Sequence, residues 1–191
     1  MKHKQRCEWT GDNVLYQKYH DKEWGVPSYD DQHLFEMLIL EGAQAGLSWI
    51  TVLKKRAAYR KAFDQFNAEK MARYSDKKIE KLLLNPGIIR NRLKINSARS
   101  NARCCLAVTE EFGCFSDYIW RFVNGEPKKN TWKKLTDIPV TTKQSDAMCK
   151  DLKKRGFKFI GSTICYAYMQ AVGMVNDHVM DCFRHKQINN K

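Results

Sequence analysis

Apolar positions recur with the 3.6-residue period of a helix along nearly the whole chain, and a polar capping residue stands before most of the runs. After Pro27, Asp30 or Asp31 can cap a helix carrying Leu34, Phe35, Leu38 and Ile39, which ends near Gly42 and Gly46. Ser48 can cap a second helix through Trp49, Leu53, Ala57 and Phe63, and Asn67 and Ser75 each precede a shorter pattern of the same kind. Asn85-Pro86-Gly87 reads as a turn, and from Ile88 a long amphipathic stretch reaches about Phe112. Ser116 opens a run through Trp120 and Phe122 that Gly125-Glu126-Pro127 closes, Lys143 to Arg155 stops at Gly156, and Ile164 to Val172 is a last apolar helix. Phe157-Lys158-Phe159-Ile160 is the one segment that could pass for a strand. The pattern predicts an all-α fold. With no repeat, low-complexity tract or Gly/Ser linker to divide it, residues 1–191 read as a single domain.

Composition narrows the class. At 191 residues with 43% hydrophobic and 12% aromatic content the chain can build a real core, which excludes a disordered basic tail. It carries 34 Lys and Arg against 21 Asp and Glu, a formal charge of +13, so a polyanionic partner is expected, and nucleic acid before an anionic membrane. A merely basic surface is the alternative on charge alone. No stretch approaches the roughly 20 apolar residues that span a bilayer, and Met1-Lys2-His3-Lys4-Gln5-Arg6 leads into no apolar signal segment. The expectation is a cytoplasmic protein without a membrane partner. Seven cysteines at irregular spacing, without a secretory signal, argue against a disulfide framework. Cys104, Cys105, Cys114, Cys149 and Cys165 receive no functional role.

Three groups of residues could carry chemistry. His178 and Cys182 are four apart and would share a helical face if that segment is helical, while Cys7 and His20 could supply the other half of a tetrahedral Cys₂His₂ zinc set. Chance pairs of thiol and imidazole are the alternative, and His185 or His3 could serve as well. Four protein ligands would leave no open position, so such a metal would be structural. Leu84-Asn85-Pro86-Gly87-Ile88-Ile89-Arg90, followed by Arg92 and Lys94, reads as helix, tight hairpin, helix. A glycine turn and a helix N-terminus suit a phosphate, although a plain interhelical turn gives the same pattern. Arg99, Arg103, Lys128, Lys129, Lys133, Lys134, Lys153, Lys154 and Arg155 extend the basic face. Finally, Glu41 follows the apolar run Met37-Leu38-Ile39-Leu40 and leads into Gly42-Ala43-Gln44-Ala45-Gly46, with Trp49 just beyond. Trp9, Tyr16, Tyr19 and Trp24 crowd the N-terminal segment, so a pocket with aromatic walls and a carboxylate is conceivable beside the simpler reading of core packing and an exposed helix end.

The strings Tyr19-His20-Asp21-Lys22-Glu23-Trp24-Gly25-Val26-Pro27, Leu34-Phe35-Glu36-Met37, Leu40-Glu41-Gly42-Ala43-Gln44-Ala45-Gly46-Leu47-Ser48-Trp49-Ile50-Thr51-Val52-Leu53-Lys54-Lys55-Arg56, Lys153-Lys154-Arg155-Gly156-Phe157-Lys158-Phe159 and Val175-Asn176-Asp177-His178-Val179 closely resemble the bacterial 3-methyladenine DNA glycosylase I family. The resemblance covers about Cys7 to Cys182. It implies a helix-hairpin-helix glycosylase fold and removal of 3-methyladenine from alkylated double-stranded DNA, by a monomer in the bacterial cytoplasm. It implies one structural Zn²⁺ on Cys7, His20, His178 and Cys182, with residues 1–25 and 175–185 together forming the zinc-bound region. It also implies a base-recognition or catalytic carboxylate at Glu41, stacking by Trp49 and Tyr19, and Trp9, Tyr16 and Trp24 as further pocket wall. DNA contacts then fall on the hairpin and the start of the next helix, at Gly87, Ile88, Arg90, Arg92 and Lys94.

Two departures bear on mechanism. The hairpin has Ile88-Ile89 where a second glycine would offer free amides, and no Asp occurs between Asp76 and Asp117, where broader helix-hairpin-helix glycosylases place a catalytic aspartate. The resemblance therefore points to monofunctional hydrolysis. The rival is a non-catalytic zinc-stabilised module that binds DNA damage; RNA binding and a catalytic zinc hydrolase are weaker rivals.

Overall fold

A computed structural model describes residues 4–189, and the chain is mostly helical. In chain order the helices are α1 (Val14–Lys22), α2 (Asp31–Gln44), α3 (Trp49–Ala62), α4 (Ala68–Ala72), α5 (Asp76–Leu83), α6 (Arg92–Phe112), α7 (Phe115–Trp120), α8 (Lys143–Lys154), α9 (Ser162–Ala171) and α10 (Phe183–Asn189). Among the described residues the only strands are β1 (Lys128–Lys129) and β2 (Val175–Asn176), a parallel pair with Lys128 opposite Val175.

Helix α2 is the axis of the fold. Every residue from Leu34 to Ala43 is buried, because α3, α6, α7 and α9 cover it from different sides. Two of those ten residues are carboxylates. Glu36 is matched by Arg56 and Arg60 of α3, with Nε to Oε1 distances of 2.6 and 2.8 Å; Glu41 has no such partner. Arg56 also reaches Glu23 at the end of α1, so one buried guanidinium ties three helices together.

The capping residues decide where helices begin. Asp30 caps α2 by accepting from the His33 N–H at 2.7 Å. Asp31, the other candidate, instead accepts from the N–H groups of Phe115 and Ser116 at 3.0 and 2.7 Å, holding the start of α7 from a distance. Asn67, Ser75 and Asn91 cap α4, α5 and α6. The long helix therefore starts at Arg92 and not at Ile88, since residues 88–91 complete the hairpin. Ser48 stands at the start of α3, but its hydroxyl meets Thr51 Oγ1 at 2.8 Å instead of a backbone N–H. Helix α7 starts at Phe115, one residue before the expected Ser116, and Cys114 Sγ takes the capping bond from Asp117 N–H.

The expected strand at residues 157–160 does not form. Phe159 sits in the left-handed region at φ 55°, and the Asn101 side chain takes both backbone groups of Lys158, its N–H at 2.8 Å and its carbonyl at 3.0 Å. A segment clamped to α6 in this way has no edge to offer a ladder. Helices α1 and α10 have no counterpart in the sequence pattern, because short segments rich in aromatic and charged residues give a weak period.

Candidate functional site

The end of α2, the start of α3, α1 and α9 enclose a cavity of about 210 Å³. Glu41 and Gln44 enter from the last turn of α2, and Trp49 is the first residue of α3. Tyr16 and Tyr19, three apart on α1, present one face, with Trp9 from the 3-10 turn Glu8–Thr10 and Trp24 from the segment after α1. The rings brace one another: Trp9 lies 4.9 Å from Tyr16 and 5.1 Å from Trp24 between centroids, and Tyr19 lies 5.5 Å from Trp49. All six residues expected to line a pocket do so. Gln44, Ile138, Ala167 and Gln170 also line it. Gln44 follows Glu41 by one helical turn and was legible; Ile138, Ala167 and Gln170 come from distant segments that no local pattern connects to Glu41.

Glu41 is 5% exposed and has no hydrogen-bond partner among the described residues, and burial pushes its carboxyl up to about 8. At neutral pH the unliganded carboxyl is therefore largely protonated. Burial raises the Tyr19 and Tyr16 hydroxyls as well, with Glu41 adding to both. The Trp49 indole N–H is buried without an acceptor. A flat group with a positive charge would meet electron-rich rings on its faces and a carboxyl on its edge.

On the other side of Trp9 and Trp24, Cys7, His20 and Cys182 bring three ligand atoms within 4.8 Å of one another, all buried. The segment from His178 to Cys182 is not helical, which corrects the helical-face argument from sequence. His178 follows β2 and Cys182 stands in the turn before α10, and it is the return of the chain end onto α1 that makes the cluster. His178 lies beside the close group of three, its ring centroid 4.8 Å from that of His20. Its Nε2 is buried with no partner, while its Nδ1 meets Asn176 Oδ1 at 2.9 Å. His20 is built the same way, with Nδ1 on Asp21 at 2.9 Å and Nε2 turned to Cys182 Sγ at 3.4 Å. Asp21 is in turn gripped by Arg6. Outer partners on both Nδ1 atoms fix the two rings, with His20 Nε2 turned to Cys182 Sγ and the Cys7 N–H, each at 3.4 Å, and His178 Nε2 without a partner. Burial lowers His178 to about 3 and so keeps it neutral. The Cys7 hydrogen bond, with His20, lowers Cys182 to about 5, while Cys7 is raised by the same pairing and by burial. Gly25 makes room: a Cβ there would stand 2.8 Å from His178 Cε1, and its φ of 75° favours glycine. Two thiols with one imidazole in the close group and a second beside it are donor types that suit Zn²⁺. Of the alternative ligands, His185 points to the Asn130 carbonyl at 2.9 Å, and His3 lies outside the described residues.

The turn from Leu84 to Asn91 joins α5 to α6. Gly87 passes so close to α3 that a Cβ would lie 2.9 Å from that of Ala58. The hairpin amides are partly spent inside the protein: Gly87 N–H donates to Asn85 Oδ1 at 2.8 Å, Ile88 N–H to the Asn85 carbonyl, and Ile89 N–H to the Tyr59 hydroxyl. The N–H groups of Arg90, Arg92 and Leu93 have no acceptor among the described residues. Ile88 is 2% exposed and belongs to the core, so its side chain is not available to a partner. Lys94 is also committed, with its ammonium on the Ala43 and Ala45 carbonyls at 2.9 and 2.6 Å. Arg92 pairs with Glu80, and Arg90 is exposed. Of the wider basic face, Arg99 pairs with Asp76, Arg103 donates to the Ala72 carbonyl, and Arg155 holds Glu111 and Asp151.

A sequence model of the family described as methyladenine glycosylase matches residues 9–185. The chain is 52% identical over 178 residues to the DNA-3-methyladenine glycosylase 1 of Escherichia coli K12, covering 93% of this chain and 95% of that protein. A crystal structure of a 3-methyladenine DNA glycosylase I superposes with a TM-score of 0.91 at 54% identity, over 94% of this chain and 98% of that one. A Tyr-to-Phe variant of such an enzyme, in complex with 3-methyladenine, superposes with the same score at 35% identity, over 93% and 96%.

Proposed function

Because the chain belongs to the methyladenine glycosylase family, we propose that the aromatic cavity receives an alkylated base flipped out of double-stranded DNA, and that Glu41 recognises it. The chain is a DNA-3-methyladenine glycosylase, a hydrolase of N-glycosyl bonds that excises 3-methyladenine. The observation that carries the site assignment is a buried carboxyl without a partner in a small cavity walled by Trp and Tyr.

Alkylation at N3 gives adenine a positive charge and makes it a good leaving group. Flipping costs a few kcal/mol, less for a damaged base. Trp49 and Tyr19 then stack on the cationic ring, an attraction of about 0.5–2 kcal/mol each. The positive charge of the base lowers the Glu41 carboxyl so that its proton is released to solvent, and the resulting carboxylate accepts hydrogen bonds from the base amino group. Neutral adenine can stack on the same rings but gives neither the cation–π attraction nor the charge that ionises Glu41. A cavity of about 210 Å³ is smaller than the roughly 300–1,000 Å³ of sites for drug-sized ligands, and suits one base. A carboxylate that stabilises the cationic ground state opposes loss of that charge, so Glu41 serves recognition and the leaving-group ability of the base supplies most of the rate. Water completes a monofunctional hydrolysis.

Around the cavity, Cys7, His20, His178 and Cys182 would hold one Zn²⁺, supplying a structural bond between residues 1–25 and 175–185 of a single domain. We read α5, the turn and α6 as a helix-hairpin-helix element, with Gly87 setting its close packing and the free amides of Arg90, Arg92 and Leu93, beside the Arg90 side chain, meeting a phosphate. The protein acts as a monomer in the bacterial cytoplasm. Chromatography of bases freed from methylated duplex DNA tests the activity: 3-methyladenine alone is expected to leave the DNA, and release of no base from folded, metal-loaded protein would favour a non-catalytic damage-binding module.

A further inference from the structure

Asp177 is fully buried and accepts four hydrogen bonds from uncharged donors. Asn130 Nδ2 and Trp132 Nε1 each reach Oδ1 at 2.7 Å; the Tyr166 hydroxyl reaches Oδ2 at 2.7 Å and Gln170 Nε2 reaches it at 2.8 Å. An indole N–H can only donate, and a carboxylate can only accept, so the network fixes the direction of its bonds. For Gln170 this settles the amide: its NH₂ end is held by Asp177, and its carbonyl oxygen is left for a group on the other side. Gln170 stands three residues after Ala167 on α9, and both line the cavity that holds Glu41. The Gln170 backbone carbonyl is itself fixed by the Gly25 N–H at 2.9 Å, so the residue is anchored at both ends.

We propose that Gln170 is a specificity residue whose carbonyl oxygen, oriented by Asp177, is a fixed acceptor for the exocyclic amino group of an adenine-type base. Guanine carries a carbonyl oxygen at that ring position, and two acceptors face to face lose a hydrogen bond that each made with water. The cavity thus rejects N3-alkylated guanine by unpaired polar groups and not by size, the stronger of the two means of selection. Asp177 is a positioning residue that prevents the amide from turning over. The inference rests on the reading of the cavity as a base site, but its test does not require catalysis.

Fluorescence titration of the cavity tryptophans with free 3-methyladenine and free 3-methylguanine measures the preference directly. Wild type is expected to prefer 3-methyladenine, and Gln170→Met, of similar volume, to reduce that preference about tenfold or more. Asp177→Asn can donate to Gln170 and let its amide invert, so it should reduce the preference too, and the double variant should lose no more than Gln170→Met alone. A purely structural role for Asp177 would weaken both ligands in proportion and leave the ratio intact. A Gln170→Met protein with the wild-type ratio, or a wild type with no preference, overturns the assignment. Base release from methylated DNA, run on the same wild-type protein, reports separately on excision: a protein that discriminates free bases through Gln170 but frees none would refute the enzymatic reading and leave this one standing.

Discussion

Glu41 holds a conflict between stability and use. Its carboxyl ordinarily titrates at 4.5 and in the fold near 8, so between those values the folded state binds the extra proton. Stability attributable to this residue is therefore greatest at acid pH and falls as pH rises through that window. Glu41→Gln removes the burden. Thermal unfolding should show the variant equal to wild type near pH 4 and more stable by up to about 4 kcal/mol above pH 8. A gap that is constant with pH would mean that the carboxyl is not desolvated as described. The same titration gives a functional sign: affinity for a cationic base should rise with pH as Glu41 ionises. Glu41 was legible in the sequence because a carboxylate at the end of an apolar run is conspicuous. Its isolation from every cation was not, since Glu36, five residues earlier and equally buried, is fully paired.

At the scale of elements, the sequence located α2 to α6 well because capping residues and apolar period agree there. It failed where tertiary contacts replace local signals. The His178–Cys182 segment is held by β2 and by the packing of α10, and the Phe157–Ile160 segment by Asn101, so neither follows its own pattern. The hairpin is a middle case: the turn was predicted, but the reason for Gly87 lies in α3, against Ala58. Gly87→Ala should push the hairpin from α3 at a cost of about 1–3 kcal/mol, and weaken binding to undamaged duplex DNA more than binding of free base. Chemical denaturation and DNA titration check both parts. Equal losses for DNA and free base would mean that the hairpin acts only through the cavity.

Across the whole molecule, the described N-terminal segment and the segment before α10 meet beside the cavity. Trp9 and Trp24, which wall the cavity, both stand against the histidines beside it: Trp9 lies 5.3 Å from His20, and Trp24 lies 4.6 Å from His178. A metal there would stiffen the wall without entering the chemistry. Removal of zinc by a chelator should cost about 3 kcal/mol or more, a fall in Tm of roughly 6–12 °C, and Cys182→Ser should reproduce it. A Tm indifferent to chelation in protein that carries one zinc would assign the ion elsewhere. Net charge and composition pointed to a polyanion, and long motifs pointed to the family. That the terminal segments converge was only a weak candidate from residue type, strengthened by that resemblance, since no local pattern connects Cys7 with Cys182 across the chain.

If a flipped, alkylated adenine occupies this cavity with Glu41 on its edge, excision depends on that carboxylate. Single-turnover release of 3-methyladenine from methylated duplex DNA, at protein concentrations below saturation, compares wild type with Glu41→Gln most directly. Rapid release by wild type is expected, with a loss of about tenfold or more in the variant while the fold and any metal content stay unchanged. Equal rates from the two proteins would contradict the claim.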